Sequence, residues 1–282
     1  TTNVVSSSVT GVVESGNVSG IANSTLLAMM GVTGDLTNAE TSDTLNWTFD
    51  SDSEAFNYLD ETQSLVLTYT IEVDDGTAQD TQTVTITING TNDAPVIAGD
   101  TTGSVTEDGT LISSGTLAVT DVDDADGVVA DTIVGSYGSL VIDGAGNWIY
   151  TLTNGDSNVQ ALAAGETLTD TITVTMGDGT TTQDIDITIH GTNDAPVIAI
   201  GGGSAAESIT ETDTTLTTSG TLTVSDVDTT NVVTSSVTGV VESGDVSGIA
   251  NSTLLAMMGV TGDLTNAETT DTLNWSFDSD SE

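Results

Sequence analysis

The chain has 282 residues, of which 43 are Asp or Glu and one is His, with no Lys or Arg, for a formal charge of −43 at pH 7. Nucleic acid is excluded as a partner, because affinity for phosphate comes from the cationic side chains that are missing here, and anionic lipid is disfavoured for the same reason. No carboxylate can be neutralised by a side-chain salt bridge, so the counter-charge has to come from the medium, and divalent metal suits that role.

Cysteine is absent, which removes both a disulfide framework and a thiolate metal site. Without lysine there is no isopeptide staple and no Schiff-base nucleophile. Hydrophobic residues make up 36% of the chain and fall in clear alternation, which argues against an acidic disordered tail. No apolar run approaches the ~20 residues needed to cross a bilayer, and no basic n-region with an apolar h-region opens the sequence. Membrane insertion is not expected.

In chain order, one helical segment comes before the clear alternation: Asn23-Ser24 is placed to cap Thr25–Met30, with Gly31 as the stop, and the segment recurs at Asn251–Gly259. Its leucines and methionines read as core. Trp47 then opens the first of three Asn-Trp-x-aromatic strands, which with Trp148 and Trp275 are expected to be core anchors. Leu65, Leu67, Tyr69, Ile71 and Val73 alternate with polar residues, and after a turn at Asp75-Gly76 so do Val84, Ile86 and Ile88. Ile172, Val174 and Met176, a turn at Asp178-Gly179, and Ile185, Ile187 and Ile189 repeat the pattern. Period-two alternation rich in β-branched residues predicts strands buried on one face. Several such strands per unit with Gly/Asp turns predict an all-β architecture of antiparallel sandwiches with Greek-key connections.

The sequence Gly-Thr-Asn-Asp-Ala-Pro-Val-Ile occurs at 90–97 and again at 191–198. Proline fixes φ and removes a donor, while Asn-Asp favours a turn, so each copy ends a strand and starts a stiff linker. The predicted units are 1–93, which lacks its opening strands, 94–196, which is complete, and 197–282, the N-terminal part of a third. Thr229–Glu282 restates Thr1–Glu54 at an offset of 228, with 50 of 54 positions identical. The chain is therefore read as a window on a longer tandem array.

Most of the acids are expected to be solvated surface, but a few sit at special places. In Asp121-Val122-Asp123 and Asp226-Val227-Asp228 a Gly-Thr-Leu-x-Val strand ends in two aspartates. Period two points both carboxylates to one side, beyond Leu117 and Val119 or Leu222 and Val224. Two like charges so close repel unless a cation sits between them, so each pair predicts a hard-cation site, to which Asn92-Asp93 or Asn193-Asp194 of the adjoining linker adds oxygens. It is not an EF-hand, because position twelve counted from Asp121 is Thr132 rather than a bidentate Glu.

The repeated linkers, the Asp-Val-Asp pairs, the Leu-Ala-Ala-Gly-Glu-Thr-Leu stretch at 162–168 and the strand pairs after it together resemble the VCBS and cadherin-like repeats of giant bacterial surface adhesins, often of the RTX type. The resemblance implies calcium at each junction of a rod-like array. It implies Asp60, Glu61, Asn92, Asp93, Asp121, Asp123 and Asp178 as ligands of the first junction. For the second it implies Glu107, Asn193, Asp194, Asp226 and Asp228, and Glu211 is a candidate from the third unit. Two departures stand out. Leu59-Asp60-Glu61-Thr62 has no Arg and its Glu is shifted by one, and the second unit has Ala163-Ala164 there, which leaves Glu166 as a weaker candidate. The second junction is expected to bind fewer ions.

No enzyme is expected. His190 falls on the outward face of its strand, without the nucleophile and orienting group a catalytic histidine needs, and nothing selects one carboxylate pair for glycoside hydrolysis. The expected function is an extracellular structural extender of a secreted adhesin or biofilm fibre, with neighbouring repeats of the same chain as partners and the adhesion ligand held elsewhere. Two alternatives stay open. One is a subunit of a self-assembling filament completed by strand exchange between copies. The other is a carbohydrate- or ligand-binding module, suggested by the outward threonines Thr83, Thr85 and Thr87.

Overall fold

The computed structural model describes residues 4–37, 40–124, 126–212, 214–245, 248–265 and 268–279. Ala125 of the first acidic loop, and the ends of the long repeat at Thr1–Asn3 and Asp280–Glu282, lie outside them. The described residues are nearly all strand or loop.

The first unit contains β1 (Ser6–Ser15), α1 (Asn23–Ala28), β2 (Met30–Thr33), β3 (Asn46–Phe49), β4 (Ser64–Asp74) and β5 (Gln79–Asn89). β1, β4 and β5 form one antiparallel sheet with β4 central, and β2 pairs with β3 in a two-stranded sheet. The alternation seen in the sequence sets which face is buried. Leu65, Leu67, Tyr69 and Ile71 of β4 point inward and are buried, alongside Val12, Leu26, Met29 and Met30. The Tyr69 hydroxyl donates to the Leu26 carbonyl at 2.8 Å, tying the helix to the sheet.

The second unit contains β6 (Val96–Gly99), β7 (Thr102–Thr106), β8 (Ile112–Thr120), β9 (Asp131–Val134), β10 (Gly138–Ile142), β11 (Asn147–Leu152), β12 (Thr167–Thr175) and β13 (Thr182–His190). One sheet runs β6-β8-β11-β10-β9 and the other β12-β13-β7. Their inward residues make one buried cluster that includes Leu117, Leu140, Trp148, Tyr150, Ile172, Ile185 and Ile187. The sandwich is not wholly antiparallel, because β7 runs parallel to β13. After β6 the chain turns through Gly99, at φ 100°, and crosses to the other sheet. Within the core, Asp170 accepts the Ser136 and Tyr137 amides at 2.8 and 3.0 Å and the Tyr150 hydroxyl at 2.8 Å, so this buried carboxylate is fully hydrogen-bonded.

The third unit contains β14 (Val197–Ala199), β15 (Thr217–Ser225), α2 (Asn251–Ala256), β16 (Met258–Thr261) and β17 (Thr270–Asp278), in the sheet order β14-β15-β17-β16.

Two further expectations need correction. The helix begins at Asn23 with Ala22 as its N-cap and no side-chain cap, and it ends at Ala28. Gly31 is not its stop but lies in β2, because Met30 already pairs with Phe49, so strand pairing claims the residues that propensity alone gives to the helix. The three tryptophans are not equivalent either. Trp148 is 1% exposed, whereas Trp47 is 47% exposed. Trp148 lies over Gly115 of β8, and Trp275 lies over Gly220 of β15. Among the described residues β3 pairs with β2 alone, and Trp47 instead borders an open hollow with Ile71, Val73 and Val84 of β4 and β5.

Candidate metal centres at the two linkers

At the first linker, β8 carries Leu117 and Val119 into the core and stops at Thr120. The following loop is closed by its own carboxylates. The Asp121 amide donates to Asp126 Oδ1 at 2.7 Å, and the Asp123 and Asp124 amides donate to Asp121 Oδ1 at 3.3 and 3.4 Å. The Asp93 amide donates to Asp123 Oδ2 at 2.9 Å, which fixes the linker over the loop. Gly90 allows the approach, because a Cβ there would collide with the carbonyls of Leu59 and Asp60.

The second linker repeats this arrangement. The Asp194 amide donates to Asp228 Oδ2 at 2.9 Å, and the Asp228 amide to Asp226 Oδ1 at 3.1 Å. Gly191 faces the carbonyls of Leu162 and Ala163. Glu107 joins the group because β7 is parallel to β13, which brings the ends of both strands to the linker together: the Glu107 amide donates to the His190 carbonyl at 3.1 Å. Its carboxylate is fully buried, and Oε1 accepts the Thr192 amide at 2.8 Å.

Buried polar atoms normally find partners. Six buried side-chain atoms among the described residues have none, and five of them are carboxylate oxygens at these two linkers: Asp121 Oδ2, Asp123 Oδ1, Glu107 Oε2, Asp194 Oδ2 and Asp228 Oδ1. The sixth is the Tyr58 hydroxyl. In a chain without Lys or Arg, neither of those side chains is available to neutralise them. As they stand, no three acidic or histidine side chains among the described residues converge closely enough to hold a metal ion. The donor set nonetheless fits a hard cation, being all oxygen, anionic, buried and unpartnered.

The electrostatics agree. Burial, then the charges of Asp194, Asp108 and Asp228, push the Glu107 carboxyl above its usual range, although the Thr192 amide opposes the shift. Burial raises Asp194, reinforced by Asp108, Asp228 and Asp226. It raises Asp228 too, with Asp226 and Glu166 adding to it against the Asp194 amide. At Asp123 the Asp93 amide pulls downward but is outweighed by burial and by Asp121. These folded-state pKa values lie above the unfolded ones, so with no cation present the ionised forms cost stability at neutral pH and that cost disappears as pH falls through the raised values. Thermal unfolding in chelator is therefore expected to shift upward as pH is lowered from neutral to about 5. Were a divalent cation to bind these oxygens, the sign would reverse, because protons would compete for them.

The other candidates are placed differently. Asp60 caps its own turn, accepting the Thr62 amide and hydroxyl and the Gln63 side-chain amide; the Thr62 hydroxyl is the main reason its carboxyl is held low. Asp178 lies at the same end of the second unit, where the Gly177 amide donates to the Gly127 carbonyl. Both its oxygens accept from Thr180 and Thr181, which holds it low despite burial. Asn92 and Asn193 each donate to the carbonyl of the next residue. Glu61 is exposed and faces Asp124. Glu211 is exposed and makes no hydrogen bond to the second-linker group among the described residues. The second linker carries three unpartnered oxygens to the first's two.

Two acids absent from the sequence-derived set also face these groups, Asp108 acting on Asp194 and Asp124 lying in the field of Asp123, while the weaker candidate Glu166 acts on Asp228. Asp108 had a local signal, since an aspartate followed by glycine suits its left-handed φ of 51°. It is held by a reciprocal pair with Asn154, at 2.9 and 2.6 Å.

Residues 92–191 match the bacterial cadherin-like domain family. No curated protein matches the chain. Among solved structures, PcdhgB3 EC1-4 is 14% identical, with 97% of this chain and 57% of that one covered at a TM-score of 0.36. Chicken VE-cadherin EC1-2 is 17% identical, with 67% and 84% covered at 0.27. Domains 4-9 of the surface layer protein SbsC are 18% identical, with 76% and 31% covered at 0.26. The chain thus spans just over half the length of the PcdhgB3 fragment.

Proposed function

From the premise that residues 92–191 are a bacterial cadherin-like domain, an adhesion-type extracellular repeat module, we propose that the chain is an extender segment of a secreted bacterial surface adhesin or fibre, stiffened by calcium at its linkers. The observation that carries this reading is the set of five unpartnered, buried carboxylate oxygens, all at the two places where one unit meets the next.

Asp121 and Asp123 would hold calcium at the first linker, with Asp93 beside them. Glu107, Asp194 and Asp228 would do so at the second, with Asp226 completing the acidic loop. Bound calcium supplies the positive charge that the side chains lack. The protein's own part is geometric: Asp93 and Asp194 each place an amide on the Asp-x-Asp loop of the following unit. A cation that binds only the docked arrangement stabilises it by mass action. No adhesive tip is assigned to this segment, and its partners are the neighbouring repeats.

Isothermal titration with calcium and small-angle scattering of the same samples test the reading. Uptake at both linkers and a narrower spread of end-to-end distances in calcium are expected. Scattering that is identical in calcium and in excess chelator would remove stiffening from the proposal.

The alternative of a ligand-binding module receives little support from the groove in the third unit. This groove of about 720 Å³ is lined by Leu222, Met258, Leu273, Trp275 and Phe277. Phe49, the counterpart of Phe277, packs edge-on against Tyr69 of β4, with ring centroids 6.3 Å apart. The groove is therefore core surface of the repeat rather than a site peculiar to one unit.

A further inference from the structure

The two linkers share one framework but differ in what faces it. Gly90 lies against the carbonyls of Leu59 and Asp60, and Gly191 against those of Leu162 and Ala163. Asp60 and Glu61 of the first joint thus correspond to Ala163 and Ala164 of the second. Counting from the Asp-Val-Asp pairs, Asp124 corresponds to Thr229 and Asp126 to Asn231. At the first joint acid faces acid, because Asp124 lies within the field of Glu61 and Asp60 across the linker. Among the described residues, no hydrogen bond ties the body of the first unit to the second-unit loop.

At the second joint the same positions are neutral and bonded. Asn231 Nδ2 donates to Asp228 Oδ2 at 2.7 Å and to Asn193 Oδ1 at 3.0 Å, joining the acidic loop to the linker. The Thr229 amide and hydroxyl make longer contacts, 3.5 and 3.4 Å, to the Ala161 carbonyl of the second unit. Removing four carboxylates and adding donors changes the balance without a cation. Like charges repel across both joints, Asp124 facing Glu61 and Asp60 at the first and Asp228 facing Glu166 and Glu107 at the second, and the repulsion is screened only by ions in solution. At the second, direct hydrogen bonds connect the two sides.

We propose that the two joints differ in kind: the first docks only when a divalent cation is bound, and the second stays docked without one, held by Asn231 and Thr229 as positioning residues. This rests on the reading of the linkers as cation sites, and it adds that removing calcium frees one joint and not the other. The segment would then bend at a defined place as calcium falls instead of loosening throughout.

The chain has no cysteine, so spin labels report single sites in the intact protein. Val13, Val134 and Ser276 are exposed, one in each unit. Pulsed electron resonance on V13C/V134C reads the first joint, and V134C/S276C the second. In calcium both pairs are expected to give a narrow distance peak. In chelator the first peak is lost and the second kept. T229D/N231D is expected to make the second peak depend on calcium, and D60A/E61A/D124T/D126N to make the first persist in chelator, with far-UV circular dichroism confirming that each variant is folded. Loss of both peaks together, or folded swap variants that leave the pattern unchanged, would overturn the proposal. Absence of calcium uptake in titration of the unlabelled chain would instead sink the extender reading, whatever the labels show in chelator.

Discussion

Trp148→Ala is expected to destabilise the second unit by about 3–5 kcal/mol, whereas Trp47→Ala is expected to change stability by no more than about 0.5 kcal/mol. The two residues sit in the same Asn-Trp-x-aromatic pattern, so the contrast isolates environment from sequence. Trp148 is 1% exposed between β8 and the β7 strand of the opposite sheet, and its indole N–H donates to the Asp100 carbonyl at 2.9 Å. Truncation would leave a cavity lined by Gly103 and Gly115, neither of which has a side chain to collapse into it, and would orphan that carbonyl. Trp47 projects from a two-stranded sheet and is half exposed. Chemical denaturation of the two variants, followed by circular dichroism, measures both. Equal losses would mean that Trp47 is core after all.

Glu107→Gln is expected to have opposite effects with and without calcium. The glutamine keeps an oxygen for the Thr192 amide and removes a buried negative charge that faces Asp194, Asp108 and Asp228. In chelator the variant should therefore unfold at a higher temperature than the parent chain. In calcium it should gain less, because a charged ligand has been lost. Saturation at a hundred times the dissociation constant stabilises by about 2.7 kcal/mol per site, and each tenfold loss of affinity removes about 1.4 kcal/mol of that. Calorimetry of both proteins under both conditions gives four melting temperatures. If the variant is destabilised in chelator as well, Glu107 serves as packing and not as an ion-facing group.

Much of the site was legible because it rests on local rules. Asp121-Val122-Asp123 and Asp226-Val227-Asp228 follow core-facing residues at period two, and a turn that closes on its own carboxylate needs only its own few residues. Those pairs and the Asn-Asp linkers could be located without knowing the fold. Glu107 was reached only through family resemblance, because its approach to the linker depends on β7 lying parallel to β13, a pairing between residues far apart in sequence. Asp108, Asp124 and Asn231 were missed for a similar reason. Which acids confront one another across a linker is decided by how two units meet, and no spacing within one unit encodes that.

The duplicated stretch separates the two levels most clearly. Residues 229–282 and 1–54 share 50 of 54 positions, and where the rules are local the copies agree. α1 and α2 occupy matching residues, β2 and β16 match, and the Val5–Leu36 bridge recurs as Val233–Leu264. Where a partner strand is needed, they diverge. Ser6–Ser15 is a ten-residue strand beside β4, but its counterpart at 234–243 forms no strand. Conversely, β17 extends over nine residues against β15, while β3, with no such neighbour, extends over four. Leu26 is fully buried, whereas α2 buries none of its residues. The sequence by itself determined alternation, turns, linkers and the carboxylate pairs, since these depend on side-chain direction and backbone preference within a few residues. Only the tertiary structure decided which alternating segments became strands, which tryptophan became core and which acids were left without a partner, because a strand's backbone groups and apolar face are satisfied only by another segment of chain.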